Sequence, residues 1–255
     1  MRLALYQARS PAGDIPAGLA VIDAALAQSA QAGVDMLTMP ELFLPGYNAV
    51  TATPPPGWDA VLPQVAGLCR RHGVALTIGL PEYAGSTVYN SAFAFGSDGA
   101  VLACYRKVQL FGPREKALFE PGDRLVTFDY KDTRFGLMIC YDIEFPEHTR
   151  ALVRAGAQAI LTPTANMKPF LNVNLIQVPG RALENGVTIV YANFTGRERD
   201  LDYVGHSIIM GPAGLPIGRA DDAEGLVIAD LPSGRYDNGA PISTQIADYR
   251  PVKGP

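Results

Sequence analysis

The sequence lacks the features that mark several classes of protein. Its 255 residues include three histidines, three cysteines and one tryptophan. Acidic and basic side chains nearly balance, 25 against 21, which gives a formal net charge of −4. We therefore expect no nucleic-acid partner and no attraction to an anionic membrane surface. No apolar run reaches the roughly 20 residues of a membrane-spanning helix, so we also expect no membrane partner.

The cysteines are few, and their spacing does not match that of a cysteine metal site. Cys69, Cys104 and Cys140 form an odd set without the short spacings of a metal site. A reduced protein without structural disulfides is the simplest account, which predicts a cytoplasmic location. Residues 1–7 are too short and too alternating for a signal peptide, and they predict a first strand instead.

What the chain has is enough apolar sequence for a sizeable core. Hydrophobic residues make up 48% and charged residues 18% of the sequence, which is typical of one folded domain over residues 1–255. Strands alternate with helices, but hairpins intervene, so we predict mixed sheets covered by helices. Strands are predicted at 3–8, 34–39, 74–80, 87–95, 100–108, 125–130, 134–139, 157–161, 187–193, 206–210 and 225–231. Helices are predicted at 15–33, 58–72, 147–155 and 179–185, with a long polar loop at 110–123.

Cys140 occupies the junction between a predicted buried strand, 134–139, and a helix for which Pro146 suits the first position. A thiol there can reach a cleft while the sheet holds its backbone. Nearby positive charge or a helix N-terminus would favour the thiolate, which is the nucleophilic form. The alternative is a small core residue, because free cysteine is among the most buried residue types.

Three further ionisable residues lie beside apolar or loop-forming neighbours. Glu41 follows the strand 34–39, Lys107 ends the strand that begins at Ala100, and Glu115 lies in the loop after it. Each, taken alone, is more typical of a solvated charge. Together with Cys140 they meet the needs of acyl transfer, which are a carboxylate base with a pKa raised by burial, a cation for the oxyanion, and a second carboxylate that fixes the geometry.

Three segments, in this order, resemble the nitrilase or carbon–nitrogen hydrolase superfamily, which uses a Glu–Lys–Cys triad. They are PELFLPGY at 40–47, YRKVQLF at 105–111 and GLMICYDIEFPE at 136–147. The resemblance covers nearly the whole chain. It implies that Glu41, Lys107 and Cys140 are catalytic, and that Glu115 is the second glutamate of the family.

The same resemblance implies an α/β fold, a four-layer α-β-β-α sandwich of two mixed sheets covered by helices. Subunits of this kind commonly pair across a two-fold axis, so we expect at least a homodimer. The Gly- and Pro-rich tail at about 232–255 lacks periodicity. It is expected on a surface of this subunit or of a partner, at the oligomer interface.

The implied mechanism begins when Glu41 takes the proton of Cys140. The thiolate attacks an amide carbon, and Lys107 and the backbone N–H of Tyr141 stabilise the oxyanion. Ammonia leaves, and water activated by Glu41 hydrolyses the thioester. The mechanism uses no metal and no organic cofactor.

Two further positions bear on the substrate. Tyr47 matches a family position that often lines the pocket, although a packed loop tyrosine is the alternative. Many relatives carry arginine where this chain has Glu144, and arginine suits acidic substrates through paired hydrogen bonds. The hypothesis is that Glu144 favours neutral or amine-bearing amides. The alternative is that it faces solvent at the start of the helix, where negative charge is favourable.

We therefore predict an amidase that acts on a small non-peptide amide. Amides are preferred to nitriles because 255 residues leave little room for the additional segments of true nitrilases. An N-carbamoyl amide hydrolase is the alternative within the superfamily, since it uses the same residues.

Two alternatives lie outside the superfamily. A papain-like Cys–His hydrolase is disfavoured because His72, His148 and His206 lie in no recognisable motif. A catalytically silent binding protein is disfavoured because all four ionisable residues of the family pattern are present. Cys69 and Cys104 are interpreted as core or structural residues.

Overall fold

The computed structural model describes residues 1–232, 236–237 and 240–251. Within them, the helices are α1 (Ile15–Gln31), α2 (Val61–His72), α3 (Gly112–Leu118), α4 (Pro146–Arg154), α5 (Val178–Asn185) and α6 (Gln245–Asp248). Short 3-10 turns occur at Tyr47–Ala49, Trp58–Ala60 and Cys140–Glu144, and a π-helical turn at Val173–Gln177 leads into α5. None of the helices in this part of the chain combines the length and apolarity that crossing a membrane requires.

Many of the strands are short. They are β1 (Arg2–Arg9), β2 (Met36–Thr38), β3 (Ala75–Ala84), β4 (Thr87–Phe95), β5 (Val101–Arg106), β6 (Val126–Tyr130), β7 (Thr133–Leu137), β8 (Ala159–Pro163), β9 (Thr188–Ala192), β10 (Phe194–Thr195), β11 (Arg197–Glu198), β12 (Leu201–Asp202), β13 (Ile208–Met210), β14 (Pro216–Arg219), β15 (Gly225–Asp230), β16 (Tyr236–Asp237) and β17 (Ala240–Pro241).

The main strands form two mixed sheets, as predicted. The first has the order β10-β1-β2-β3-β4-β5, with β15 also paired to β1. Its strands β1, β2 and β3 are parallel, whereas β4, β5 and β15 pair antiparallel with their neighbours. The second has the order β14-β13-β9-β8-β7-β6, with β7, β8 and β9 parallel. Each sheet thus has a parallel centre flanked by antiparallel strands, and the short β10 at the edge of the first sheet pairs parallel with β1.

The apolar side chains form three cores, which define four layers. Along β1, Ala4 and Tyr6 belong to the core shared with α1 and α2, whereas Leu3 and Leu5 belong to the core between the two sheets. Alternate side chains of a strand point to opposite faces, so β1 is covered on both. A third core joins the second sheet to α4 and α5. The predicted four-layer α-β-β-α sandwich is confirmed.

The largest error in the predicted elements concerns residues 110–123. They were expected to form a loop, but α3 occupies Gly112–Leu118. Pro113 stands in its first turn, where proline is favoured, and the residues after it are good helix formers. Seven residues are too few to show an amphipathic period, so the pattern did not reveal the helix.

Most other differences concern element ends and short strands. The helix expected at 58–72 begins as a 3-10 turn, and β2 is shorter than the predicted 34–39. Short strands such as β10, β11, β12 and β14 carried too few residues for alternation to be recognised.

The described part of the C-terminal tail lies on this subunit's own surface. The guanidinium of Arg154 on α4 is 4.6 Å from the centre of the Tyr249 ring, and the side chain of Ile242 lies beside Gly186 at the end of α5. Tyr249 is nevertheless 53% exposed. The prediction for positions 233–235, 238–239 and 252–255 falls outside the described residues.

One close backbone contact between β3 and the loop after β2 requires glycine. A Cβ built on Gly79 would lie 2.5 Å from the Cα of Glu41 and 2.5 Å from the backbone nitrogen of Leu42. Neither atom can move as the tip of a flexible side chain can. We therefore expect Gly79→Ala to lower the free energy of unfolding by about 1–3 kcal/mol, the usual cost of overpacking.

The control is Gly67→Ala in α2, where the nearest atom is the flexible guanidinium of Arg70 at 3.9 Å. Alanine is the better helix former, so this change should raise stability by about 0.5–1 kcal/mol. Urea denaturation of both variants measures the difference. A Gly79→Ala protein as stable as the parent would contradict the close approach.

Candidate active site

Glu41 lies in the loop after β2, at the point where the two sheets meet. The loop is bound to β3, because Gly79 N–H donates to the carbonyl of Pro40 (3.1 Å) and Phe43 N–H donates to the carbonyl of Gly79 (2.7 Å). Glu41 N–H donates across to the carbonyl of Thr164, just beyond β8 of the second sheet (3.3 Å). The Glu41 side chain is therefore fixed between both sheets, and it is fully buried.

Lys107 directly follows β5, and its ammonium group joins two carboxylates. Nζ lies 2.7 Å from Glu41 Oε1 and 2.8 Å from Glu115 Oε1. All three side chains have no exposed surface. A buried lysine is costly unless it is paired and hydrogen-bonded, so these two contacts are what allow the ammonium to remain charged.

Glu115 is held by α3, the helix that the sequence did not reveal. Its Oε2 accepts a hydrogen bond from Phe111 N–H (2.8 Å), at the N-terminus of this helix. Its Oε1 accepts a second hydrogen bond from Tyr47 OH (2.7 Å), in addition to the contact with Lys107. Tyr47, predicted to line the pocket, therefore also orients Glu115.

Asn90 is a site residue that the sequence analysis missed. Its side-chain Nδ2 donates to Glu41 Oε1 (2.7 Å), and its backbone carbonyl accepts from Lys107 N–H (2.8 Å). Asn90 stands in β4 among apolar neighbours and is buried. A buried amide in an apolar strand needs a hydrogen-bond partner, and this was the signal that could have identified it.

The two oxygens of Glu41 have different surroundings. Oε1 accepts from both Lys107 and Asn90, whereas the buried Oε2 has no protein hydrogen-bond partner. Burial raises the pKa of Glu41; Lys107 opposes this shift and Glu115 adds to it. The free oxygen and the raised pKa together suit a carboxylate that accepts a proton and later returns it.

Cys140 begins a 3-10 turn with its backbone in the left-handed region, at a φ of 44°. A non-glycine residue held there costs about 1–3 kcal/mol, so its surroundings must impose the conformation. Asp142 supplies much of this support, since its Oδ2 accepts from Ile139 N–H (2.9 Å) and Tyr105 OH (2.7 Å). Its Oδ1 accepts from Gln109 N–H (2.9 Å). Asp142 therefore ties the cysteine turn to the segment that carries Lys107.

The surroundings of Cys140 favour the neutral thiol over the thiolate. Burial raises its pKa well above the ordinary value, the Glu41 carboxylate raises it further, and Lys107 only partly opposes them. Lys107 acts in the direction expected of a nearby positive charge, which is to favour the thiolate, but burial and the carboxylates outweigh it. Burial lowers the pKa of Lys107, but Glu115 and Glu41 outweigh it and raise that pKa well above the ordinary lysine value. Proton transfer from the thiol therefore requires a base.

Cys140 opens on a narrow pocket. The predicted residues Tyr47, Tyr141, Glu144 and Glu115 all line it. The remaining wall residues, which the sequence analysis did not single out, are Phe111, Ala165, Asn166, Met167, Phe170 and Tyr191. Phe111 ends the segment 105–111 already noted, whereas the others come from segments without a motif, so only the fold identifies them. Glu144 is half-buried and lines this wall, so its position agrees with the hypothesis of a pocket residue.

The three histidines and the other two cysteines do not belong to the Glu41–Lys107–Glu115 cluster. His72 pairs with Asp23 (2.6 Å), and His206 lies 3.3 Å from Asp222. His148 is 3.7 Å from the buried Asp142. Cys69 belongs to the core beneath α2, and Cys104 is partly buried on β5. In the described ranges, no group of three or more His, Cys, Asp or Glu side chains is arranged to hold a metal ion.

This chain is similar in sequence to known hydrolases. The profile of the carbon-nitrogen hydrolase family matches residues 2–239. The chain is 34% identical to the protein named "Hydrolase in pqqF 5′ region" of Pseudomonas protegens, over 98% of this chain and 90% of that protein. It is also 34% identical to an (R)-stereoselective amidase of Pseudomonas sp., over 91% of this chain and 85% of the relative.

The fold is similar to solved structures of an amidase. A double mutant of the amidase from Nesterenkonia sp. AN1, in complex with acrylamide, superposes with a TM-score of 0.89 at 36% identity, covering 98% of this chain and 94% of that one. Another mutant of that amidase was solved with butyramide, at a TM-score of 0.88 and 37% identity, covering 98% of this chain and 94% of that one. The resemblance inferred from three sequence segments is confirmed, and the chain belongs to the carbon–nitrogen hydrolase family.

Proposed function

We propose that the protein is an amidase that converts a small non-peptide amide to a carboxylic acid and ammonia through a thioester on Cys140. The observation that carries the proposal is the buried Glu41–Lys107–Glu115 cluster beside a cysteine that opens on a small pocket. The amide complexes of the Nesterenkonia enzyme support the substrate class.

In the first half of the reaction, Glu41 Oε2 accepts the thiol proton as the sulfur attacks the amide carbon. A C–S bond forms, and the carbonyl π electrons move to the oxygen. Lys107 Nζ and the N–H of Tyr141, in the turn that Cys140 begins, stabilise this oxyanion. When the intermediate collapses, the C–N bond breaks, and the leaving nitrogen takes the proton held by Glu41, so ammonia departs.

In the second half, water replaces ammonia. The water oxygen attacks the thioester carbon while Glu41 takes a proton from that water. The second tetrahedral intermediate collapses with cleavage of the C–S bond, and the sulfur recovers a proton from Glu41. One amide and one water thus yield one acid and one ammonia, and the resting thiol is restored. Glu115 acts by holding Lys107 in place, because it accepts hydrogen bonds from Lys107, Tyr47 and Phe111.

We also propose that residues 1–255 act as one domain in a reducing compartment, the cytoplasm. Cys69, Cys104 and Cys140 are all free, which is typical of proteins kept reduced.

We propose that the chain forms at least a homodimer through the surface of α5 and the π-helical turn before it. Ile176 is 69% exposed, and Leu175 and Leu183 are each 48% exposed on these consecutive elements. Leu215 is 45% exposed and follows Gly214, which lies beside Leu183, in the loop between β13 and β14. Neighbouring exposed aliphatic side chains of this kind are typical of a subunit interface.

An ammonia-release screen over amides, nitriles and N-carbamoyl compounds tests the reaction. We expect ammonia and carboxylic acid from small amides, with no CO₂. Cys140→Ala should abolish turnover, since a methyl group cannot attack, while Cys69→Ala and Cys104→Ala retain it. Preferred release from nitriles or carbamoyl compounds, or substantial turnover by Cys140→Ala, would contradict the proposal.

Single-turnover measurements test the roles of Glu41 and Lys107. Glu41→Gln should lose acylation because the amide cannot accept the thiol proton, although it preserves the shape. Lys107→Arg should fail almost as badly as Lys107→Ala, since a guanidinium cannot occupy the compact ammonium's place beside the thiol. Removal of one oxyanion donor typically costs about 2.7–4 kcal/mol, or 10²–10³ in rate. Near-normal acylation by Glu41→Gln would remove the glutamate from the mechanism.

Light scattering at micromolar concentration tests the association. We expect the molar mass of a dimer or larger oligomer for the parent protein, and a shift towards monomer for Ile176→Glu, because a charge replaces the most exposed aliphatic side chain of the surface. The control is Val101→Glu on β5, which is 56% exposed in another part of the fold. A monomeric parent protein, or an equal response to both changes, would refute this interface.

A further inference from the structure

The pocket beside Cys140 has an excess of negative charge. Glu115 and Glu144 both line it, and Glu41 lies buried behind it. Lys107 is already shared between Glu41 and Glu115. Among the residues that the structure describes, no lysine or arginine lines the pocket. The site and the pocket therefore hold three carboxyl groups and one ammonium group. The half-buried Glu144 is the carboxylate that makes no contact with Lys107.

No cationic side chain pairs with the Glu144 carboxylate in the described part of the chain. The nearest cation is Arg181 on α5, but its donors bind the backbone carbonyls of Ile143 (3.1 Å) and Glu144 (3.0 Å) and the carboxylate of Glu184 (3.1 Å). The polar contact of the Glu144 carboxylate is a long one, from Gln177 Nε2 at 3.4 Å. Burial raises the pKa of Glu144, with Gln177 and the charge of Arg181 acting in the opposite direction. A half-buried carboxylate with so few donors gains most from a cation in the pocket.

The rest of the wall suits a small cation as well. Phe111, Tyr141, Phe170 and Tyr191 supply aromatic rings, and Phe111 packs edge-on against both Tyr141 (5.2 Å between ring centres) and Phe170 (5.7 Å). Aromatic rings attract ammonium groups through their negative faces. The pocket beside Cys140 is narrow, so the ligand is small.

Resting on the proposed amidase function, we propose that the preferred substrate is a small amide that also carries a protonated amine, which Glu144 binds while the amide carbon lies at Cys140. The same carboxylate excludes amides with a free carboxylate, because close like charges repel. A substrate ammonium would also give the Glu144 carboxylate a short hydrogen bond, which Gln177 Nε2 at 3.4 Å does not provide.

A matched series of amides tests this specificity. The compounds are 4-aminobutanamide, pentanamide and glutaramic acid, which carry an ammonium, a methyl or a carboxylate group at the same distance from the amide, with shorter and longer homologues of each. We expect kcat/KM to decrease in that order. The ammonium compound should exceed the methyl compound by about tenfold or more, the scale of one hydrogen bond to a charged group.

Glu144→Gln assigns the preference to its residue. The ratio of kcat/KM for the ammonium compound over the methyl compound should fall towards one, and most of the change should appear in KM. The control is Glu147→Gln, an exposed glutamate three positions further on, which should keep the parent ranking. The ratio is compared within each variant, so a general loss of activity does not affect the result.

The outcomes separate this inference from the proposed function. Hydrolysis of pentanamide without an advantage for the ammonium compound would overturn the inference and leave the amidase intact. So would a ranking that Glu144→Gln does not change, or a parent enzyme that prefers glutaramic acid. Absence of ammonia release from every compound of the series would overturn both.

Discussion

The arrangement of this protein depends on one buried ion cluster, in which the ammonium group of Lys107 is shared by Glu41 and Glu115. Removing each of these charges from water costs several kcal/mol, which their attraction offsets only when the geometry is good and the other polar atoms have partners. Asn90, Tyr47 and the N–H of Phe111 provide those partners. The cluster therefore requires β4, β5, α3 and the loop after β2 to meet at one place.

That requirement explains features of the fold that are unfavourable by themselves. The loop that carries Glu41 runs so close to β3 that Gly79 has no room for a side chain. The backbone of Cys140 is held in the left-handed region, and the buried Asp142 binds the turn from both of its oxygens. Strain and buried charge of this kind are often concentrated at functional sites. The benefit is that the base, the cation and the nucleophile are held in place before substrate enters.

The same cluster determines the resting state of the nucleophile. With two carboxylates and one ammonium nearby, burial keeps Cys140 as a thiol. In the mechanism that we propose, Glu41 Oε2, which has no hydrogen-bond partner among the described residues, takes the thiol proton. The carboxylates that oppose ionisation of the thiol also add negative charge beside the pocket, and the substrate preference that we propose depends on that charge together with Glu144.

The amino-acid sequence by itself determined the mixed α/β architecture and the identity of the principal ionisable residues. Strand β1 is recognisable from its short, largely apolar sequence, and Glu41, Lys107 and Cys140 stand in distinctive local sequences at strand ends. Local sequence could not determine what depends on distant segments. Helix α3 is too short to produce a period, and Asn90 acquires its role only because Glu41, 49 residues away, folds against it. The protonation of Cys140 and the solvation of Glu144 were likewise decided by the tertiary structure, because both depend on burial and on which charges lie within a few ångströms, and neither quantity is local in the chain.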